Sequence, residues 1–161
     1  MSSTNSPAVS FIGGNWNIEI PMNHKLTFRI KNDLTELGKI SQIVEEFNET
    51  HRLPLKAVNA VSLALDEILT NIISYGYEEQ GDHFIDIRIS LQNEQIILEI
   101  EDDARQFNPL TVPEADTESA INERPIGGLG VHLVRNMMDE IHYIYKNNKN
   151  CLLMKKKIKE V

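Results

Sequence analysis

The sequence predicts a two-layer α/β sandwich in which helices cover one face of a mixed, mostly antiparallel sheet. Three observations predict this fold class. Several short segments place apolar residues at every second position, which is typical of half-buried strands. Longer segments place them at every third or fourth position, which is typical of amphipathic helices. Neighbouring strand-like segments are joined by short polar links, which favours antiparallel pairs.

The first strand and helix are predicted near the N-terminus. Apolar residues alternate with polar ones over residues 25–31, so this segment is expected to be a half-buried strand. Asp33 followed by Glu36 resembles a capping box, which predicts a helix start. Helical spacing of apolar residues then continues to about Asn48.

A second helix and a hairpin follow. Helical periodicity predicts a helix from about Leu55 to Tyr75 that closes near Gly76. Residues 84–91 and 95–101 both alternate and are separated by a short polar link. They are therefore predicted to form a β-hairpin.

The C-terminal third contains a loop, a helix and two strands. Residues 107–125 are polar and include three prolines, which predicts a long loop containing a short helix. A helix is expected from Gly127 to about Asp139. Two last strands, residues 141–145 and 151–158, flank a link rich in Lys and Asn that is interpreted as a turn.

Composition limits the class of function. The 161 residues fit one domain, predicted at 21–161, after a flexible tail at 1–20. A net charge of −8 disfavours nucleic acid as the main partner, and no run of 18 apolar residues predicts a membrane span. The single cysteine, Cys151, lies in an apolar run and is interpreted as a strand core residue; its presence without a second cysteine favours a cytoplasmic location.

The first motif that could carry chemistry lies on the second helix. Glu67 and Asn71 are four residues apart, so their side chains project from the same side of the helix, one turn apart. A carboxylate and an amide oxygen in this arrangement can hold a hard cation or its water shell. Considered alone, the spacing is too common to indicate a site, and a solvated helix face is the favoured interpretation.

The second motif follows the strand that ends near Glu101. Asp102 stands at the strand end, where a carboxylate can accept a hydrogen bond from an exocyclic amine such as that of adenine. The small Ala104 leaves room for a flat ring to approach. The alternative interpretation is an acidic turn that leaves the strand, with Asn108-Pro109 marking its end.

The third motif opens the third helix. Gly127, Gly128 and Gly130 allow backbone N–H groups to approach an oxyanion, and a helix N-terminus favours negative charge. The motif is neither a Walker A loop nor a dinucleotide-binding turn, and a flexible loop joint is an alternative. His132 lies two residues further on and is interpreted as a partly buried structural histidine.

The three motifs, in this order, resemble those of the GHKL (Bergerat-fold) ATPases and most closely the anti-sigma-factor serine/threonine kinase branch, the RsbW and SpoIIAB type. The resemblance extends from about Leu26 to Ile158. Residues 65–73 are similar to the N box, 102–109 to the G1 box and 127–135 to the G2 box.

The resemblance implies roles for individual residues. Asn71 would coordinate Mg²⁺, Glu67 would act as the general base, and Asp102 would bind the adenine amine of ATP. The loop over residues 107–126 would be a lid that closes over the nucleotide. The remaining contacts to ATP would come from the G1 and G2 boxes: Ala104, Phe107, Gly127, Gly128, Gly130 and Val131.

Two functions are compatible with the resemblance. The first is a serine/threonine protein kinase that transfers the ATP γ-phosphate to a STAS-domain anti-anti-sigma protein and also inhibits a sigma factor, as a homodimer. The second is a partner-switch module that binds nucleotide, or none, and transfers no phosphate. Ala104 favours the second, because the family usually has glycine at this position and a methyl group is added near the adenine site.

Overall fold

A computed structural model describes residues 24–113 and 128–159. The predictions of a tail at 1–20, of Gly127 as a site residue, and of a lid over most of 107–126 lie outside the described residues.

The strands form one five-stranded sheet in the order β1-β2-β3-β5-β4, and each of its described pairings is antiparallel. In this sheet β5 lies between β3 and β4, so the strand that ends in Asp102 is central. The strands are β1 (Lys25–Lys31), β2 (Phe84–Gln92), β3 (Gln95–Asp102), β4 (Glu140–Lys146) and β5 (Lys149–Lys157).

Within the described residues, three α-helices accompany the sheet: α1 (Leu37–His51), α2 (Leu55–Tyr75) and α3 (Gly128–Met137). Asp33 accepts a hydrogen bond from the backbone of Thr35 and begins a short 3₁₀ turn that leads into α1, as its position in the sequence predicts. A second 3₁₀ turn, Pro109–Thr111, is the short helical element expected after β3.

The main core lies between the helices and one face of the sheet. Apolar side chains of α2 pack there with the alternate residues of β2 and β3 that face the helices, such as Ile87 and Leu98. This confirms the two-layer α/β sandwich. Helix α2 has the length and mean hydropathy of a membrane span, but seven of its residues are buried, as expected of a core helix.

Both hairpins close with two-residue turns in the left-handed region. Asn93 and Glu94 have φ values of 46° and 60°, and Asn147 and Asn148 have φ values of 53° and 59°. Two consecutive positive φ values are typical of the type I′ turn, which matches the twist of the flanking strands. The turn after β4 is therefore shorter than the predicted link, and Asn150, predicted in that link, lies in β5 instead.

A small second cluster lies on the opposite face of the sheet, where Ile97, Cys151 and Leu153 are buried together. Burial raises the pKa of the Cys151 thiol to about 11. A thiol with that pKa stays protonated at neutral pH, so it is a poor nucleophile. The interpretation of Cys151 as a strand core residue is confirmed.

Candidate functional site

Glu67 and Asn71 lie one turn apart on α2, and both are half-buried. Their orientation follows from their neighbours, because Ile68 and Leu69 are buried in the core beneath the helix. The two polar side chains therefore lie at the edge of the contact between α2 and the sheet rather than inside it.

The Glu67 carboxylate lies directly against Gly130 of α3. A methyl group built at Gly130 would be 1.9 Å from Glu67 Oε2, which is far inside the contact distance of two atoms. Glycine at this position is what allows the carboxylate to approach the helix backbone so closely. The contact brings the first and third sequence motifs together, although 63 residues separate them in the chain.

The first described turn of α3 lies beside the Glu67 carboxylate. Gly128 to Val131 are the first described residues of α3 and form this turn. The side chain of Val131 is only 2% exposed and packs in the interior, so this residue can offer a ligand only its backbone. Arg135 Nη1 donates to the Val112 carbonyl at 2.7 Å and holds α3 to the chain that follows β3.

Asp102 is the last residue of β3, and it is 4% exposed. Its Oδ1 accepts hydrogen bonds from the Ala104 backbone at 3.0 Å and from Asn150 Nδ2 at 2.9 Å. Burial raises the pKa of Asp102 to about 6, and these two hydrogen bonds act in the opposite direction because they stabilise the ionised form. A buried carboxylate with a raised pKa is a common property of functional sites.

Asn150 is a residue of this site that sequence reasoning missed. It pairs with Asp102 across β3 and β5, and its amide contacts the turn that follows Asp102. The sequence signal for its position was the Asn147-Asn148 pair, which closes a two-residue hairpin and so places Asn150 in the strand.

The methyl group of Ala104 lies against Gly76, the C-cap of α2. A Cβ atom on Gly76 would be 2.8 Å from the Ala104 Cβ, so the two residues fill one space between them. The backbone N–H of Arg105 also donates to the Gly76 carbonyl at 3.0 Å. The methyl group that Ala104 adds is thus accommodated by the missing side chain of Gly76.

Phe107, predicted to contact ATP, and His132, interpreted as a structural histidine, are both less buried than Asp102. The ring of Phe107 is 48% exposed, while its backbone N–H donates to Asn150 Oδ1 at 3.1 Å. His132 on α3 is half-buried, and its Nε2 lies 3.0 Å from the Asn136 amide nitrogen, which agrees with a structural role for this histidine.

The three motifs meet around α2. Ile68, Pro109 and Val131, one from each motif, line the same small apolar cavity. Glu67 and Gly76 are separated by nine residues, or about 13 Å of helix axis. The Glu67–Gly130 contact and the Gly76–Ala104 contact therefore lie about 13 Å apart along α2.

The donor set fits a Mg²⁺ ion carried by a nucleotide. Within residues 24–113 and 128–159, no three His, Cys, Asp or Glu side chains group together as a metal cage. Mg²⁺ commonly takes only one or two protein oxygens and completes its shell with phosphates and water. The half-buried Asn71 amide, beside the Glu67 carboxylate, can supply such an oxygen.

The chain is similar to known proteins in family, in sequence and in fold. Residues 30–156 match the profile of the histidine kinase-like ATPase domain family. The chain is 20% identical to a serine-protein kinase RsbW of Listeria monocytogenes serotype 4a, over 83% of this chain and 88% of that protein. It is 25% identical to an anti-sigma F factor of Clostridium novyi, over 66% of this chain and 76% of that protein.

A solved structure shares the fold. The RsbU and RsbW domains of a Mycobacterium tuberculosis protein superpose on 89% of this chain with a TM-score of 0.62 and 9% sequence identity. This chain spans 34% of that one, so the likeness concerns one part of a longer protein.

Proposed function

Since the chain belongs to the histidine kinase-like ATPase domain family, we propose that it binds ATP with Mg²⁺ and transfers the γ-phosphate to a serine or threonine of a partner protein. The observation that carries the proposal is the contact of Glu67 with Gly130. It places a carboxylate beside the first turn of α3, where a phosphate group is favoured.

The base of the nucleotide would bind at the end of β3. The exocyclic amine of adenine donates a hydrogen bond, and the ionised Asp102 carboxylate can accept it. Burial of this carboxylate strengthens the interaction, because water competes poorly for it. The contact of Ala104 with Gly76 supports this assignment, since the methyl group that distinguishes this chain packs on α2.

The phosphates would bind between α2 and α3. The N–H groups at the start of α3 would donate to phosphate oxygens, and Asn71 would hold the Mg²⁺ that accompanies them. The ion supplies neutralisation of the phosphate charge when it is bound. Gly128 would allow the backbone to come close to the phosphates, because it carries no side chain, whereas the corresponding space at Gly130 is taken by the Glu67 carboxylate.

Glu67 would act on the nucleophile. The hydroxyl oxygen of the partner's serine or threonine attacks the γ-phosphorus, the bond from phosphorus to the bridging oxygen breaks, and ADP leaves. The proton of the hydroxyl passes to the Glu67 carboxylate, which makes Glu67 the general base. The products are a phosphorylated partner and ADP.

The partners follow from the relatives. A serine-protein kinase RsbW and an anti-sigma F factor are similar to this chain over most of its length. The second name supports a sigma factor as the inhibited partner. A STAS-domain anti-anti-sigma protein as the phosphate acceptor and a homodimer as the working form belong to the same proposal through the resemblance of the three motifs.

The test is calorimetric titration with ATP in the presence and absence of Mg²⁺. We expect Mg²⁺-dependent binding that Asn71→Ala greatly weakens, because the substitution removes the protein ligand of the ion. The absence of binding at millimolar ATP by folded protein would contradict the proposal.

Phosphate transfer is tested separately with radiolabelled ATP and purified STAS-domain proteins of the source organism. Glu67→Gln keeps the size of the side chain but removes the base, so we expect it to bind ATP and to lose transfer by about a hundredfold or more. Binding without transfer by the unaltered protein would favour a partner-switch module instead.

A further inference from the structure

The Asn150 side chain is hydrogen-bonded to Asp102 and to the turn that follows it, where the adenine would bind. We propose that Asn150 is a positioning residue that holds Asp102 Oδ1 and leaves Oδ2 to accept the exocyclic amine, so that Asn150 sets the selectivity for adenine. The inference rests on the proposed nucleotide site and assigns a role within it to a residue in β5.

The first evidence is the set of hydrogen bonds that the Asn150 amide donates. Its Nδ2 lies 2.9 Å from Asp102 Oδ1, 3.2 Å from the Ala104 carbonyl and 3.1 Å from the Arg105 carbonyl. These acceptors are the last residue of β3 and two adjacent residues of the turn that follows it, so one amide group is hydrogen-bonded to both the strand end and the turn.

The second observation is the pair of hydrogen bonds that the Asn150 amide oxygen accepts. Asn150 Oδ1 receives the Tyr143 hydroxyl at 2.7 Å and the Phe107 backbone N–H at 3.1 Å. Tyr143 lies on β4, so the amide orientation is held from the strand on the other side. With its oxygen held in this way, the nitrogen must face Asp102.

Only an amide satisfies all these partners at once. The Asn150 side chain is 6% exposed, so a missing hydrogen bond there would not be replaced easily by water. Aspartate has no donor for Asp102 or for the two carbonyl groups, and leucine has neither donor nor acceptor. The position therefore requires a group that donates toward Asp102 and accepts from Tyr143.

These hydrogen bonds affect which base Asp102 can accept. The hydrogen bonds described for Asp102 both reach Oδ1, which leaves Oδ2 as the acceptor for a ligand. An ionised carboxylate accepts from the amine of adenine but repels the carbonyl oxygen of guanine. A protonated carboxyl could donate to guanine, so selectivity for adenine requires ionised Asp102, and the hydrogen bond from Asn150 favours that form.

Other charged or titratable groups also act on Asp102. Asp103 and Glu101 disfavour its ionisation from the same segment of chain. The remaining neighbours come from the α2–β2 link, from β4 and from β5: Tyr77, Tyr143 and Cys151. None of these residues is substituted in the variants below; Tyr143 loses its hydrogen bond to Asn150, so that loss belongs to the effect of the Asn150 substitution.

The experiment compares ATP and GTP binding by Asn150→Leu with binding by the unaltered protein, between pH 5.5 and 8.5. We expect ATP affinity at pH 7 to fall by about tenfold to a hundredfold. We also expect the pH below which ATP binding weakens to rise by about one unit, because the pKa of Asp102 rises when its donor is lost. The preference for ATP over GTP should shrink.

Asn148→Gly is the matched control, because it lies in the same hairpin and its φ of 59° suits glycine. This substitution should change neither the pH below which ATP binding weakens nor the preference for ATP over GTP. A loss of affinity in Asn150→Leu that is equal at every pH and equal for both nucleotides would overturn the proposal, since packing alone would explain it.

A second measurement keeps the inference testable if Asn150→Leu does not fold or if no nucleotide binds. Carboxyl-carbon NMR titration of Asp102 in nucleotide-free Asn150→Ser, which lacks the amide, should show a pKa above that of the unaltered protein. An unchanged pKa would overturn the role of Asn150, whereas a raised pKa without ATP binding would contradict only the proposed function.

Discussion

The carboxylate of Asp102 is buried at the end of β3, and that burial raises its pKa from 3.8 to about 6. An acid whose pKa is raised on folding binds its proton more tightly in the folded state. Its contribution to stability is complete below pH 3.8 and is lost as the pH rises through about 6. At neutral pH the protein therefore holds an ionised group that favours unfolding and that the proposed function requires.

Asp102→Asn should remove that destabilisation while keeping an oxygen that accepts from Ala104 and Asn150. We expect the free energy of unfolding of the variant, relative to the unaltered protein, to be higher at pH 8 than at pH 4 by up to about 3 kcal/mol. Urea unfolding at both pH values measures it. Burial also raises the pKa of Glu99 to about 7, but that effect is common to both proteins and cancels in the comparison. An equal difference at the two pH values would contradict the prediction.

Gly130 is the second residue on which the proposed site depends. Gly130→Ala would place a methyl group 1.9 Å from Glu67 Oε2, so the carboxylate must move away from α3. The far end of a glutamate side chain moves easily, so we expect the free energy of unfolding to change by no more than about 1 kcal/mol. Phosphate transfer, measured with the acceptor protein, should fall by about tenfold or more because the base is displaced. Full activity in a folded variant would show that this position of Glu67 is not needed.

Between elements, the end of α2 and the turn after β3 form one contact. Gly76 and Ala104 share a space that holds a single methyl group, and the Arg105 N–H donates to Gly76 across it. This contact ties the helix that carries Glu67 and Asn71 to the strand that carries Asp102. The two ends of the proposed site are thus held at a constant separation.

Gly76→Ala should destabilise the protein by about 1–3 kcal/mol, because its methyl group meets both Ala104 and the Ile72 carbonyl. Ala104→Gly in the Gly76→Ala background should recover part of this loss, so that a double-mutant cycle of unfolding free energies yields a coupling of about 1 kcal/mol or more. Additive effects would show that the two residues do not share the space.

Gly38→Ala provides the matched control for this cycle. Gly38 is exposed on α1, and a methyl group there would meet nothing within 4 Å. Alanine is the better helix former, so we expect this variant to gain up to about 1 kcal/mol.

At the scale of the whole molecule, the site is assembled by the order of the strands. Because β5 lies between β3 and β4, Asn150 comes next to Asp102, although 48 residues separate them. The packing of α3 on α2 places the glycine-rich motif beside Glu67 in the same way. A ligand that bridges these parts would stabilise the entire fold.

Mg²⁺ and ATP together should therefore raise the melting temperature. At a nucleotide concentration of about 100 times the dissociation constant, the gain is about 2.7 kcal/mol. For a domain of this size we expect a rise of about 5–10 °C in a thermal unfolding scan. Asn71→Ala should show a much smaller rise at the same concentrations, and an equal rise would exclude Asn71 from the binding of the ion.

The sequence by itself determined the two layers, the three α-helices and the five strands, because periods of 2 and 3.6 residues are local properties that burial imposes on each element. It also contained the three ordered motifs, and the comparisons with known proteins confirm the family they indicate. Glu67 and Asn71 could be paired from their spacing alone, since four residues make one helical turn.

Only the tertiary structure decided which distant residues meet. Asn150 carries no motif, and a two-residue turn places it in β5, where it contacts Asp102. The space for the Ala104 methyl group likewise depends on Gly76, which lies 28 residues earlier in the chain. Hydrogen bonds and packing between separate elements depend on strand order and helix placement, and these are set by the energetics of the whole core rather than by any one segment.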